Sequence, residues 1–217
     1  MTNQYAVIGL GRFGTSLVKT LLNSGNEVLV IDLNEEVINE FADIATHAVV
    51  ADATNNEALK AIGIGNFDTV IVAIGDDMQS SILATLVLKE LGIQKIVVKA
   101  LDKRHGEVLK KVGADWVIYP EKDMGARVAH QLMSPNVLNF IELAKNYSIE
   151  EIKIPSWMVG KNLKELNIRV KYNLTVIAIK SKDIVNISPS PEEKLIEGDI
   201  LVVIGENKEL HRFTNLK

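Results

Sequence analysis

Short apolar runs return along roughly the first 120 residues, at intervals that leave room for a helix between neighbours. They are 5–9 (YAVIG), 28–32 (VLVID), 47–51 (HAVVA), 70–74 (VIVAI), 96–99 (IVVK) and 116–119 (WVIY). The runs are nearly unbroken instead of alternating, the pattern of buried strands whose two faces are both covered by helices. Between them, apolar positions recur at helical spacing. Phe13, Leu17 and Leu21 share one face, and Val37, Ile38 and Phe41 another. Ile82, Leu86 and Leu91 mark a third helix, stopped by Gly92. Strands alternating with helices in this way predict an α/β chain with a Rossmann-like, doubly wound parallel sheet.

After Pro120 the rhythm changes. The pattern predicts a helix over 123–133, a break at Ser134-Pro135, and a second helix over 137–145 with Val137, Leu138 and Ile141 on its apolar face. Hairpin-like strands follow at 149–154, 175–180, 184–187 and 200–204, with a short amphipathic stretch at 162–166 and a Glu197-Gly198-Asp199 turn. The expected organisation is a first domain over 1–133, a connector helix over 134–146 and a small α+β domain over 147–217.

Composition narrows the function classes. The chain has 217 residues, 47% apolar and 24% charged, too apolar for a disordered chain at a net charge of -4. It has no cysteine, which removes disulfides, thiolate metal sites and a cysteine nucleophile. Residues 1–145 carry 13 basic against 18 acidic side chains, and residues 146–217 carry 11 against 10. Neither part has the basic excess of a nucleic-acid binder, so no nucleic acid polymer is expected as a partner. Residues 1–5 (MTNQY) have no basic stretch resembling the start of a signal peptide, and no apolar run approaches the ~18 residues of a membrane span. The expectation is a soluble intracellular protein.

The chemistry is concentrated in one loop. Gly9-Leu10-Gly11-Arg12-Phe13-Gly14 is a G-x-G-x-x-G placed between the first strand and the first helix. The first glycine permits the tight turn, the second lets phosphate approach the backbone, and the third lets helix and strand pack closely. The helix start then offers free amides and a positive dipole end to an anion. Asp32 ends the next strand, 18 residues after Gly14, where a ribose-binding carboxylate belongs. Arg12 in the loop and Lys99 at the end of the fifth strand are the cations placed to meet phosphate. Asp52 ends the third strand and either meets an adenine edge or caps the helix beginning near Asn55. The candidate cofactor-binding set is Gly9, Gly11, Arg12, Phe13, Gly14, Asp32, Asp52, Ala53 and Lys99.

No catalytic residue is assigned. The histidines (His47, His105, His130 and His211) are scattered without metal-ligand spacing, no G-x-S-x-G is present, and no Walker lysine follows the glycine loop. The expectation is a ligand-sensing protein, not an enzyme.

The blocks AVIGLGRFG, VIDLNEE, THAVVADATN, NFDTVIVAIGDD, ATLVLKELG, VVKA, KVGADWVIYPEKDMG and NVLNFIEL resemble the RCK regulatory subunits of Ktr/Trk potassium uptake systems, KtrA/KtrC type, over essentially the whole chain. The resemblance implies a Rossmann domain binding ATP, ADP or NAD(H), in dimers assembled into an octameric ring beneath a membrane potassium-pore subunit. It further implies a cytoplasmic chain held at the inner face of the plasma membrane through that pore subunit. Arg12 would reach a neighbouring subunit's γ-phosphate, and Glu121 would help hold a divalent or sodium cation between subunits. A C-terminal site for cyclic di-AMP would use Arg169, Val170, Ile177 and Pro189. The sequence departs from the family pattern at Asn173, often glycine, and at Val170, often alanine. Asn tolerates the left-handed conformation, so the turn at Asn173 is expected to survive. The readings from other classes are a small NAD-dependent oxidoreductase and a nucleotide sensor that acts without a channel.

Overall fold

The computed structural model describes residues 3–134, 136–182 and 184–215. The chain forms two compact units that divide between Asp123 and Met124.

The first unit alternates strand and helix: β1 (Gln4–Ile8), α1 (Arg12–Asn23), β2 (Glu27–Asp32), α2 (Glu35–Phe41), β3 (His47–Val50), α3 (Asn56–Ile62), β4 (Thr69–Val72), α4 (Met78–Glu90), β5 (Ile96–Lys99), α5 (Lys103–Val112) and β6 (Trp116–Ile118). The strands are parallel, in the order β3-β2-β1-β4-β5-β6. This is the doubly wound arrangement, in which strand order reverses beside β1. Successive residues of the inner strands face opposite sides of the sheet, and both sides are buried. Ala6, Ile8, Leu29, Ile31, Val70 and Val72 pack with Leu59, Ala84, Leu88 and Leu109 on one side. Val7, Val28, Val30 and Ile71 pack with Val18, Ile38 and Phe41 on the other. The unbroken apolar runs are therefore explained for the inner strands. β3 differs: it is an edge strand with His47 and Val50 exposed.

In helix α4, Ser81, Ala84, Thr85 and Leu88 turn inward; of the residues that marked this helix, Ile82 and Leu91 pack against the same core and Leu86 is exposed. Its periodicity is blurred because the polar Ser81 and Thr85 lie on the inner face while the apolar Leu83 and Leu86 lie outside. Small side chains permit the close approach, and Thr85 Oγ1 is satisfied by donating to the Ser81 carbonyl at 2.7 Å.

Helix α6 (Pro120–Met133) starts three residues before the expected helix. Proline is suited to a first helical position, where its missing N–H removes no intrahelical bond. The expected break at Ser134-Pro135 involves Pro135, which lies outside the described residues. The connector helix over 134–146 is overturned. Residues Val137–Ala144 form strand β7, paired antiparallel with β8 (Tyr147–Lys153). Register shifts between Val137 and Asn139 and between Glu142 and Ala144 interrupt the in/out alternation that would have marked a strand. The remaining pattern, with Val137 and Ile141 four apart, matched helical spacing instead.

The second unit continues with α7 (Leu163–Leu166), α8 (Ile168–Tyr172), β9 (Thr175–Ser181), β10 (Ile184–Asn186), β11 (Ile200–Glu206) and α9 (Asn207–Thr214). Its strands form an antiparallel sheet, ordered β10-β9-β11-β8-β7, over a core that includes Ile152, Met158, Leu174, Leu195, Leu201, Leu210 and Phe213. Asn162 and Glu165 form a reciprocal capping box at the start of α7. Asn173 has φ 54° and ψ 35°, the left-handed conformation expected of it.

Candidate functional site

The G-x-G-x-x-G loop joins β1 to α1, and each glycine has a separate physical reason. Gly9 has φ +92°, and a Cβ there would lie 3.0 Å from the Ile74 backbone nitrogen. A Cβ on Gly14 would collide with the Gly9 carbonyl oxygen. Gly11 has open space where its side chain would stand, so its requirement is not internal packing. Gly11 is the N-cap of α1 and supplies no side-chain cap, and the first turn contains no acid. The amides and positive end of a 12-residue helix are thus left to an outside anion.

Asp32 holds this loop from below. Its Oδ2 accepts from the Leu10 amide at 2.6 Å, and its Oδ1 accepts from the Asn34 amide at 2.9 Å. Gly9 N–H donates to the Ile31 carbonyl at 2.8 Å, and Thr15 Oγ1 donates to the Leu10 carbonyl at 2.9 Å. The loop is preformed.

A cavity of about 230 Å³ opens at the carboxyl ends of the strands beside this loop. It brings together Gly9, Gly11, Asp32, Asp52 and Ala53 from the sequence-derived set, and adds Leu33, Thr54, Ile74, Gly75, Asp76, Asp77 and Ser80. Arg12, Phe13, Gly14 and Lys99 do not line it. Phe13 packs toward the core with Leu17 and Leu21, Gly14 is buried between helix and strand, and Arg12 is exposed. Asp52 does not cap α3; Asn55 does so with its own side chain. Asp52 Oδ1 instead accepts from the Thr54 amide and hydroxyl at 2.8 and 2.7 Å. Asp77 caps α4, accepting from the Ser80 amide at 3.0 Å and the Ser80 hydroxyl at 2.6 Å. Those bonds hold its carboxyl below the usual carboxylate range. The D-x-x-S spacing just after the fourth apolar run was the available signal for this wall.

Lys99 is buried, and its Nζ lies 2.6 Å from Glu121 Oε1. A Cβ on Gly75 would sit 2.9 Å from that ammonium, so the glycine wall makes room for it. The hydrogen bond from Lys99 is the largest influence holding the Glu121 carboxyl below its ordinary value, with a smaller Coulombic pull from Arg12. Arg12, Lys99 and Glu121 therefore form one electrostatic group. Glu121 stands in the first turn of α6, and its side chain is two-thirds exposed.

The second unit has its own cavity of about 340 Å³. Arg169 and Pro189 line it with Lys164, Asn167, Thr175 and Pro191, whereas Val170 and Ile177 do not. Val170 points to solvent, 78% exposed.

Residues 5–120 match the TrkA-N domain and residues 149–217 the TrkA-C domain. The Ktr system potassium uptake protein A of Bacillus subtilis is 50% identical over 212 residues, covering 98% of this chain and 96% of its own. This chain belongs to the RCK family of Ktr/Trk potassium uptake systems. The Ktr system potassium uptake protein C of Bacillus subtilis is 47% identical over 213 residues, again covering 98% of this chain and 96% of its own. Among solved RCK relatives, the GsuK channel bound to NAD superimposes with a TM-score of 0.54 at 25% identity, over 97% of this chain and 38% of that one. This RCK chain thus spans well under half the length of that solved channel. No helix among its described residues is long and apolar enough to cross a membrane.

Proposed function

We propose that this RCK chain is the cytoplasmic regulatory subunit of a Ktr-type potassium uptake system and gates its pore subunit through ATP and ADP. The observation that carries this is the uncapped N-terminus of α1 above a preformed glycine loop, opening into a cavity with Asp32 at its rim. The loop amides hold the phosphates and Asp32 takes ribose hydroxyls with its remaining lone pairs. The relatives named as Ktr potassium uptake proteins support the pore partner.

Charge decides how ATP and ADP are told apart. The titratable side chains lining the cavity are all acids: Asp32, Asp52, Asp76 and Asp77. A triphosphate brings more negative charge than the helix end offsets, so it needs cations from outside that lining. Lys99 stands behind Gly75, and Arg12 is free to reach a second copy. Glu121 fits a cation only in part: one oxygen faces Lys99, and no group of three or more His, Asp or Glu side chains converges among the described residues. A cation site therefore requires the second copy's donors or phosphate oxygens. ADP lacks the terminal phosphate, and the paired subunits settle in another geometry in proportion to that differential affinity. Assembly of dimers into an octameric ring belongs to the same reading. The exposed Leu132, Met133, Leu138, Ile141 and Leu143 of α6 and β7 support burial against another subunit.

The cavity around Arg169 and Pro189 supports cyclic di-AMP as a second effector, with Arg169 meeting a phosphate. NAD(H) is the competing ligand at the first site, favoured by the NAD-bound GsuK relative. The absence of a Lys, His or Tyr from the cavity lining favours binding over hydride-transfer chemistry.

Calorimetry with ATP, ADP and NADH, each with and without Mg²⁺ or Ca²⁺, tests the reading on wild type and Glu121→Gln. The expected result is a cation-dependent preference for ATP that the substitution removes. A site that prefers NADH and ignores cations contradicts it.

A further inference from the structure

The second unit contains a buried acid and base that the nucleotide reading leaves unused. Glu150, central in β8, is 4% exposed, and its Oε1 lies 3.6 Å from His130 Nε2. His130 comes from the last turn of α6 and stacks on Phe140 of β7, ring centroids 4.1 Å apart and planes 28° from parallel. His130 Nδ1 and Glu150 Oε2 are both buried without a hydrogen-bond partner. Such atoms normally find one, so the 3.6 Å approach of Glu150 Oε1 to His130 Nε2 is, among the described residues, the pair's one polar contact in the interior.

The surroundings offer no other counter-charge. Phe140 of β7 and Val203 of β11 stand directly across from Glu150. From α9, Leu210, Phe213 and Thr214 turn inward, His211 and Arg212 are exposed, and Glu209 pairs with Arg212 at 3.6 Å. On β8, Glu151 pairs with Lys180 of β9 at 2.6 Å, Lys153 is exposed, and Ser148 bonds Asn207 at 2.8 Å. Glu142 of β7 is exposed, and Glu206 of β11 is taken by Lys208 at 2.9 Å. Arg127, one turn earlier on α6, is spent on Asn139 Oδ1 at 2.6 Å.

We propose that His130 and Glu150 form a proton-operated latch between the last turn of α6 and the β7–β8 hairpin, closed while one of the two carries the added proton and released when that proton leaves. With one added proton, the pair is either imidazolium and carboxylate or two neutral groups, and neither state leaves an unbalanced buried charge. Without it, a carboxylate is buried with no cation. Burial pushes the Glu150 carboxyl up to about 7, which sets the change within the neutral range. The latch stands on the geometry of the second unit alone, whether or not the nucleotide reading holds.

The test follows the full-length protein from pH 5.5 to 8.5 by carboxyl ¹³C NMR of Glu150 and by hydrogen exchange of α6 residues 127–133, corrected for intrinsic base catalysis. Wild type should titrate near pH 7 and lose about tenfold protection in the last turn of α6 across that midpoint. Glu150→Gln, which keeps shape and burial, should show a flat profile. His130→Phe, which keeps a ring on Phe140, should raise the Glu150 midpoint. A Glu150 midpoint below pH 5, or the same protection profile in wild type and Glu150→Gln, overturns the latch. The wild-type titration decides the matter even where a variant fails to fold.

Discussion

The Asp32 carboxylate accepts a hydrogen bond from the Leu10 amide at 2.6 Å, tying the end of β2 to the middle of the glycine loop. Under the proposed function, one residue both shapes the phosphate-binding backbone and presents oxygen to the ligand. Asp32→Ala should cost about 1–3 kcal/mol of stability, because it strands a part-buried loop amide. It should also weaken nucleotide binding at least about tenfold. Chemical denaturation and calorimetry on the same samples measure the two effects.

The three loop glycines should separate under alanine substitution. Gly14→Ala forces a Cβ into the Gly9 carbonyl and should destabilise the first unit by about 2 kcal/mol or more. Gly11→Ala meets open space, so stability should change by less than about 1 kcal/mol while nucleotide affinity falls. Equal stability losses at both positions would mean that Gly11 has a packing role.

Lys99→Met should remove the partner of Glu121 and leave the fold intact, since the methionine stem fills the same buried path. Affinity for ATP should fall more than affinity for ADP. The Glu121 carboxyl is depressed, so its contribution is present above its ordinary 4.5 and is lost as pH falls through the lowered value. Between pH 6 and 8 the ATP preference should therefore show no titration from Glu121.

Glu150 has the opposite sign. Its carboxyl is raised from an ordinary 4.5 to about 7, so the stability it contributes is full below 4.5 and lost as pH rises through 7. The upper limit on that loss is about 3 kcal/mol. Denaturation of the wild type between pH 4.5 and 7.5 should show the decline, and Glu150→Gln should remove it.

Asn173 holds a left-handed conformation at φ 54°. Asn173→Gly should be neutral or slightly stabilising, whereas Asn173→Val should cost about 1–2 kcal/mol. Thermal unfolding of the two variants checks the difference.

The parallel sheet was legible because its inner strands are buried on both faces and therefore read as continuous apolar runs. The glycine loop and Asp32 were legible because a tight turn, a close helix–strand approach and a carboxylate at the end of the next strand each demand one residue type at a fixed spacing. β7 was not, since its register shifts break the period of two and leave apolar residues four apart. The inward face of α4 was blurred by the exposed Leu83 and Leu86 on its outer side and by the small Ser81, Ala84 and Thr85 on its inner one. The far wall of the cavity, Asp76 to Ser80, carries a D-x-x-S spacing in the sequence, but its place opposite the glycine loop follows only from β4 lying beside β1. Glu150 was hidden for another reason. Glu150 and Glu151 stand side by side and both read as solvent-facing, and only the folded unit buries Glu150 on the face it shares with Ser148 and Ile152, against His130 of α6.

The most direct measurement is a crystal structure of the chain grown with ATP and Mg²⁺. It should show ribose hydroxyls on Asp32, phosphates on the amides that follow Gly11, and the terminal phosphate facing a second copy's Arg12. A cavity closed by protein side chains, with the nucleotide elsewhere or unbound, would contradict the account.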